Sequence, residues 1–538
     1  MGTFDFDWQA AYPSMRSPVF ARNIVSTSQP LAAQAGLRML AAGGNAIDAA
    51  IAGAAALTIV EPVSCGLGSD AFAIVWDGQG LHGLNSSGTA PAAWDQAYFN
   101  RRHGNTFPKR GPDTITVPGA IAGWVALHGR FGRLPFADCL APAIELAEAG
   151  HGVARIVQQK WAAQVDELQA QPGFAQAFMP HGRAPKVGER FVFAEAGRTL
   201  RRIAETAGRD FYEGETGERV ARFIREHGGA MSAADLRDYA PEWVEPISRD
   251  YRGFTLHEIP PNGQGIAALM ALGILEHFDM AALEPDSVAA RHLQIEAMKA
   301  AFADVYRYVA DARSMTAVTP ADLLDDALLA DRAARIRRDQ ATDFEHSLPP
   351  PGGTIYLSAA DAEGMMVSFI QSNYMGFGSG VVVPEVGVSL QNRGHGFSLD
   401  PRHPNVVEPG KRPFHTIIPA FLTRDGAPQM SFGVMGGNMQ PQGHLQTLVR
   451  MIDYRQNPQA ACDAARWKVQ RGLAVDIEPA IGAEVAAGLE ALGHKLVEVV
   501  DNYMDFGGGQ FIWRQSADLA DGYAAASDSR RDGCAAGF

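Results

Sequence analysis

A single interleaved α/β body is the fold class this sequence predicts, and three observations predict it. Strand-like alternation clusters after Thr354, helical spacing dominates before it, and the long first part still carries strands at both of its ends. No internal repeat or low-complexity tract separates the two parts. Length alone, 538 residues, would allow two to four domains. Strands distributed in this way point instead to one interleaved body.

Composition narrows the function classes. A hydrophobic content of 46% with a mean hydropathy of −0.10 describes a soluble globular chain. The formal net charge of −14 and pI near 5.5 disfavour nucleic acid or an anionic membrane as partner. Cys65, Cys139, Cys462 and Cys534 are scattered without a CxxC pair, so they read as reduced, mostly buried thiols and not as a zinc or disulfide framework. The first eight residues show no basic or apolar signal region. The most apolar run, residues 46–60, contains Asp48 and is shorter than the ~20 residues of a spanning helix. A cytoplasmic location is the expectation.

The elements follow in order. Residues 22–28 alternate into a strand, and Ser28-Gln29-Pro30 starts a helix with a capping serine and a first-turn proline. Leu31, Ala35, Leu37, Met39 and Leu40 are its apolar positions; Gly43-Gly44-Asn45 ends it, and an Ala-rich helix spans 46–58. Residues 61–70 form a glycine-rich turn into the strand 71–76, which Asp77-Gly78 folds back onto 81–84. Gly66 and Gly68 lack the strand-to-helix context of a phosphate loop. Helical spacing returns over 118–157 and 200–227. Residues 251–259 read as one strand, 260–265 as a turn ahead of a helix from Ile266, and 289–309 as a long amphipathic helix. Residues 335–345 are densely charged, a solvated helix end or linker.

Pro349-Pro350-Pro351-Gly352-Gly353 then runs into Thr354. Prolines exclude a helix or central strand there, and glycines tolerate backbone geometry closed to other residues. Two readings fit. In one, this is a surface linker and Thr354 a β-branched strand starter. In the other, Thr354 Oγ attacks the Gly353 carbonyl, the amide becomes an ester, and water opens it. Thr354 then gains a free α-amino group, whose ordinary pKa of about 7.7–8.0 lets it act as base for its own hydroxyl. Beyond it, 355–360 form a strand, 361–364 a hairpin turn, 365–372 the return strand and 386–392 a third. Residues 430–434 end at Gly436-Gly437-Asn438 before a helix near His444, and 467–475, 497–500 and 510–513 close the sheet.

Other residues carry candidate chemistry. The Gly436 and Gly437 amides at a strand end suit an oxyanion, though such pairs are commonly plain turns. Ser372 on the return strand could set a second hydroxyl beside Thr354, or be only a polar face. Arg393 could fork onto a substrate carboxylate, or form a surface ion pair. His395 and His403 lack regularly spaced partners, and no HExxH, Walker or GxSxG element occurs, so no metal or nucleotide cofactor is expected.

Together these stretches resemble the γ-glutamyltransferase family, self-cleaving members of the N-terminal nucleophile hydrolase superfamily. The resemblance rests on Ala32-Ala33-Gln34-Ala35-Gly36, Gly43-Gly44-Asn45-Ala46-Ile47-Asp48-Ala49-Ala50, Thr116-Val117-Pro118-Gly119-Ala120, Pro260-Pro261-Asn262-Gly263-Gln264-Gly265, residues 354–361, Phe377-Gly378-Ser379-Gly380, Lys411-Arg412-Pro413 and Gly436-Gly437, in that order over nearly the whole chain. It implies a four-layer αββα sandwich, a large subunit ending at Gly353 and a small subunit starting at Thr354. The two pieces are expected to stay associated, singly or as a dimer of heterodimers. Thr354 becomes the processing residue and nucleophile, Ser372 its supporting hydroxyl, and Gly436 and Gly437 the oxyanion hole.

The substrate-reading positions depart from the family pattern. Ser87 stands where the family has an arginine for the glutamate α-carboxylate, and Tyr374 replaces an asparagine. Asn392-Arg393-Gly394-His395-Gly396 occupies the segment expected to supply Gln and Asp, and His415-Thr416 replaces a Ser-Ser pair. Each lost charge-assisted contact costs about 1.5–3 kcal/mol, so orthodox γ-glutamyl affinity should be poor. The pattern looks closer to the cytoplasmic γ-glutamyltransferase-like branch that includes oxamate amidohydrolase. The expectation is a self-processed hydrolase of a small acidic amide lacking the α-amino group, read by Arg393 with Tyr374, Asn392, Ser87, His415 and Thr416 around it. A true γ-glutamyl hydrolase or transferase, and an uncleaved binding protein, are the alternatives.

Overall fold

The computed structural model describes residues 16–344, 353–499 and 506–538. Its frame is fourteen strands in two antiparallel sheets. In chain order they are β1 Val19–Ala21, β2 Ile24–Thr27, β3 Asp70–Trp76, β4 Leu81–Ser86, β5 Glu242–Val244, β6 Ile247–Tyr251, β7 Phe254–Glu258, β8 Gly353–Ala360, β9 Met366–Tyr374, β10 Ala420–Arg424, β11 Ala427–Val434, β12 Gly509–Arg514, β13 Tyr523–Ser527 and β14 Cys534–Gly537. One sheet runs β14-β2-β8-β9-β3-β4-β5 and the other β1-β13-β12-β11-β10-β7-β6. Each sheet therefore contains strands from both before and after Gly353.

Alternation along β8 shows why four layers form. Ile355, Leu357 and Ala359 join a core with helices α1 Pro30–Ala41, α2 Ala46–Val60, α3 Ala120–Phe131 and α4 Phe136–Ala149. Tyr356 and Ala360 join a second core between the sheets, with Phe72, Ile74, Ile370, Phe421 and Ile512. A third core packs α5 Ile266–Leu275, α6 Val288–Tyr308 and α7 Met439–Leu448 on the far face of the other sheet. The result is the αββα sandwich, with no side of either sheet left bare over its centre. Among the described residues, no helix is long and apolar enough to cross a membrane.

Several sequence expectations shift. Gln29, not Ser28, caps α1: its side chain accepts the Leu31 N–H at 2.6 Å, while Ser28 Oγ donates to Glu61 Oε2 at 2.6 Å. The strand over 251–259 is a hairpin, because Arg252 and Gly253 take positive φ. The third strand over 386–392 shrinks to Val388–Ser389, paired with Val382–Val383. The run 467–475 splits into Trp467–Val469 and Ala474–Ile477. Helix α6 is buried on nearly every side over 290–305, so it is a core helix and not an amphipathic one. The linker Pro349-Pro350-Pro351-Gly352, Glu345, Val500 and the N-terminal eight residues lie outside the described residues.

Candidate active site

Sheet register assembles the site. Gly353 pairs with Tyr374 and Ile355 with Gln371, and the irregularity between them falls at Thr354. Ser372 pairs with Asp70 on β3, and the Ala71–Ser86 pair carries the row on towards Ser87. Thr354, Ser372 and Asp70 thus form a polar row across three adjacent strands at one end of the inter-sheet core. All three are buried.

The hydroxyls are connected in one direction. Thr354 Oγ donates to Ser372 Oγ at 3.3 Å, and Ser372 Oγ donates to the Gly353 carbonyl at 2.7 Å. Ser372 also accepts the Tyr374 N–H at 2.7 Å, which fixes its rotamer. The serine therefore touches both the attacking hydroxyl and the carbonyl in front of it.

The facing sheet supplies backbone donors. Ser358 on β8 reaches the Ser431 carbonyl at 3.1 Å, and the Tyr356 ring lies over Gly433, where a Cβ would sit 2.4 Å from it. Continuing this pairing by two residues sets Thr354 against the turn after β11, where Gly436 (φ 115°) and Gly437 (φ 61°) lead into α7. A Cβ on Gly436 would lie 2.9 Å from Gly507 Cα, so both φ and space demand glycine there. Neither the Gly436 nor the Gly437 N–H meets an acceptor among the described residues. Gln264 Nε2 holds the turn, donating to the Gly437 carbonyl at 2.8 Å and the Thr416 carbonyl at 2.6 Å.

The remaining candidates divide into two groups. Arg393 is 1% exposed, its guanidinium lies 4.7 Å from the Tyr374 ring centre, and Nη1 donates to Thr416 Oγ1 at 2.9 Å. Its Nε and Nη2, and the Tyr374 hydroxyl, have no hydrogen-bond partner among the described residues. Burial lowers the Arg393 pKa to about 10, against the pull of Asp70, so the group remains a cation at neutral pH. Burial pushes Tyr374 up to about 12, which keeps its hydroxyl protonated. Asn392, by contrast, is engaged by backbone: it accepts the Met375 N–H at 3.2 Å and donates to the Lys109 carbonyl at 2.9 Å. Ser87 Oγ donates to Asn85 Oδ1 at 2.7 Å and accepts from Asn262 Nδ2 at 3.2 Å, while its carbonyl takes a hydrogen bond from Arg412 Nη1. His415 Nε2 lies 3.0 Å from Asp70 Oδ2.

Sequence reasoning missed Asp70, Gln264 and the role of Arg412. Burial raises the Asp70 pKa to about 7, against the Arg393 and Arg412 charges, whereas burial with those same two charges pushes His415 well below its ordinary value. Asp70 read as the end of a glycine-rich turn. Its one available signal was that no turn needs a carboxylate at the first residue of an otherwise apolar strand.

Among the described residues, two groups elsewhere bring His and carboxylate atoms together, Asp48 with half-buried His128 and Cys139, and His292 with Glu296 and His494, and both are engaged by protein contacts. Asp48 accepts the N–H groups of Asn45, Arg133 and Leu134. In the His292, Glu296 and His494 group, the Lys299 ammonium lies 2.5 Å from Glu296 and supplies the positive charge a metal would bring. His395 and His403 are turned onto the Pro108 and Tyr306 carbonyls.

A four-layer αββα sandwich with a buried hydroxyl residue at the start of an inner strand, just after Gly353, is the architecture of the N-terminal nucleophile hydrolases. The Gamma-glutamyltranspeptidase family profile matches residues 32–538, and the chain belongs to that family of enzymes. It is 36% identical over 496 residues to the glutathione hydrolase-like YwrD proenzyme of Bacillus subtilis, covering 91% of this chain and 93% of that one. It is 35% identical to the oxamate amidohydrolase proenzyme of Klebsiella pneumoniae, covering 94% and 97%. The crystal structure of cephalosporin acylase from Bacillus halodurans superposes with a TM-score of 0.92 at 48% identity over 99% of both chains.

Proposed function

We propose that the chain cuts itself between Gly353 and Thr354 and then hydrolyses amides of small acidic acyl groups through an acyl-Thr354 intermediate. In the first step Thr354 Oγ attacks the Gly353 carbonyl, whose oxygen Ser372 already polarises. Water opens the resulting ester and frees the Thr354 α-amine. In turnover that amine takes the hydroxyl proton as Oγ attacks the substrate carbonyl. The Gly436 and Gly437 amides receive the oxyanion, and the same proton passes to the departing amine. Water then releases the acid.

The observation that carries the substrate reading is the buried Arg393 guanidinium, with two unused donor nitrogens, stacked on the ring of Tyr374, which follows Ser372 by two residues on β9. A planar cation so placed suits an acyl carboxylate. Asp70, beside Arg393, stands two strands from β8, about 10 Å at ordinary strand spacing. That separation favours a chain of several carbons, such as glutaryl, over oxamate, whose carboxylate adjoins the reacting carbon. Relatives named as an oxamate amidohydrolase and a cephalosporin acylase support the acyl-amide class. Residues 1–353 and 354–538 would remain together, because β8 pairs with β2 on one side and β9 pairs with β3 on the other.

Denaturing intact-mass spectra of wild type beside Thr354→Ala test the cleavage: two fragments meeting at Gly353/Thr354 are expected only in wild type. Turnover of glutaryl amides, oxamate and a γ-glutamyl anilide then tests the acyl group. A preference for the γ-glutamyl anilide would replace this reading with the γ-glutamyl one, and capture of the acyl group by added dipeptide would make the enzyme a transferase.

A further inference from the structure

Among the groups around Arg393, Asp70 has no part in the chemistry at Thr354. Its Oδ2 faces His415 Nε2, and its Oδ1 has no hydrogen-bond partner among the described residues. The Ile417 N–H points at His415 Nδ1 at 3.4 Å, which leaves Nε2 as the protonated nitrogen and the donor to Asp70. The charged and titratable groups acting on Asp70 are Arg393, Arg412, His415, Tyr239 and Tyr212. Arg412 is already paired with Glu242 at 3.1 Å. Arg393 is thus the one cation without a carboxylate at hydrogen-bond range, and Asp70 the one anion balancing it from a distance.

An acyl carboxylate arriving at Arg393 upsets that balance. Two carboxylates would then share one buried guanidinium, and like charges at close range in a poorly solvated site force one of them to protonate. The arriving carboxylate gains the two unused arginine donors, whereas Asp70 has the His415 hydrogen bond and the weaker pull of the Gly88 and Gly119 N–H groups, and its Oδ1, with no partner at hydrogen-bond distance among the described residues, can carry a proton. We propose that Asp70 is a specificity-determining residue that takes up one proton from solvent as an acyl chain ending in a single carboxylate seats on Arg393. The bound state is then neutral in sum: guanidinium with acyl carboxylate, and Asp70 as the acid. A chain carrying an α-ammonium would need the opposite state, Asp70 ionised, so this residue decides which acyl class is held at a given pH.

The proposal rests on the Arg393 reading above, and its test separates the two. The probe is γ-acetylbutyrate, a methyl ketone with one carboxylate that matches a glutaryl amide but has no leaving amine. Its binding to the processed enzyme is followed by calorimetry at pH 8 in two buffers of different ionisation enthalpy. Wild type should take up close to one proton per ligand, and its Kd should rise about tenfold per pH unit above the Asp70 pKa of about 7. Asp70→Asn, which keeps the acceptor for His415, should bind without proton uptake and with a Kd flat from pH 6 to 8.5. Binding without uptake in wild type, or uptake that persists in Asp70→Asn, overturns the role of Asp70 and leaves the Arg393 reading standing. No binding at any pH overturns the Arg393 reading and this one with it. The wild-type proton count stands if the variant fails to fold. A γ-glutamyl ligand that binds more tightly as pH rises, where γ-acetylbutyrate shows no uptake, would assign Asp70 to an ammonium instead.

Discussion

The two ends of the site are built from different materials. At the proposed nucleophile end, Thr354, Ser372 and the Gly436-Gly437 turn carry no formal charge in the uncut chain and depend on backbone geometry: a strand irregularity at Thr354, a hydroxyl relay and two positive-φ glycines. At the proposed acyl end, Arg393, Asp70, His415 and Thr416 are side chains from distant segments, Asp70 and His415 lying 345 residues apart, all buried, with one cation and one carboxyl in partial balance. A reaction needs a fixed oxyanion geometry whatever the substrate, so backbone is the natural source. Substrate choice needs charge and hydrogen-bond patterns, which only side chains supply. The difference predicts that changes at the first end stop every substrate alike, and changes at the second sort substrates.

The largest effect should come from Thr354→Ala. Both self-cleavage and acyl transfer lose their nucleophile, so turnover of all amides should fall by about 10⁴-fold or more, with one intact chain in the mass spectrum. Gly436→Ala should come next. The new methyl would meet Gly507 backbone in a conformation that favours glycine, the donor turn would shift, and kcat should drop by about 10²–10³-fold for acidic and neutral acyl amides equally. A Gly436→Ala loss confined to acidic substrates would break the division between the two ends.

The same division explains what the sequence could reveal. The local elements that carry the proposed nucleophile end were readable because they are short and local: alternation in β8 and β9, a four-residue hairpin turn at Asp361, and a glycine pair closing β11. Elements whose state depends on distant packing were harder. Strands β13 and β14 are rich in alanine and small residues, whose weak strand preference is overridden by pairing with β12 and β2. The α6 helix has charged residues that look solvated but are paired inside the core, as with Lys299 and Glu296. Arg393 could be named as a carboxylate ligand without its surroundings, whereas the Asp70–His415 contact requires two positions 345 residues apart to meet. Asn392 shows the converse: a polar residue in the right segment whose amide is held by the Met375 and Lys109 backbone.

At the acyl end, Arg393→Ala should lower kcat/KM for glutaryl amides by about 10- to 150-fold, the loss of about 1.5–3 kcal/mol from a charge-assisted contact. A neutral butyryl amide of the same length should change much less. Arg393→Lys should recover only part of the loss, since a point charge cannot reproduce the planar fork stacked on Tyr374. Equal losses for the charged and neutral amides would mean that Arg393 holds the fold of the pocket and reads no carboxylate.

Thr416 gives the finest test. Its hydroxyl accepts from Arg393 Nη1 at 2.9 Å, while its carbonyl accepts from Gln264, which also holds Gly437. Thr416→Val keeps the shape and the carbonyl but deletes the hydroxyl, leaving the guanidinium aimed by the Tyr374 ring alone. One hydrogen bond to a guanidinium that also has a stacking partner is worth about 1 kcal/mol here, so KM for glutaryl amides should rise about fivefold with kcat nearly unchanged. Thr416→Ser should restore the wild-type KM. If Thr416→Val instead lowers kcat for all amides, the Gln264 bridge transmits the change to the oxyanion turn, and the two ends act as one unit with no separation between chemistry and selection.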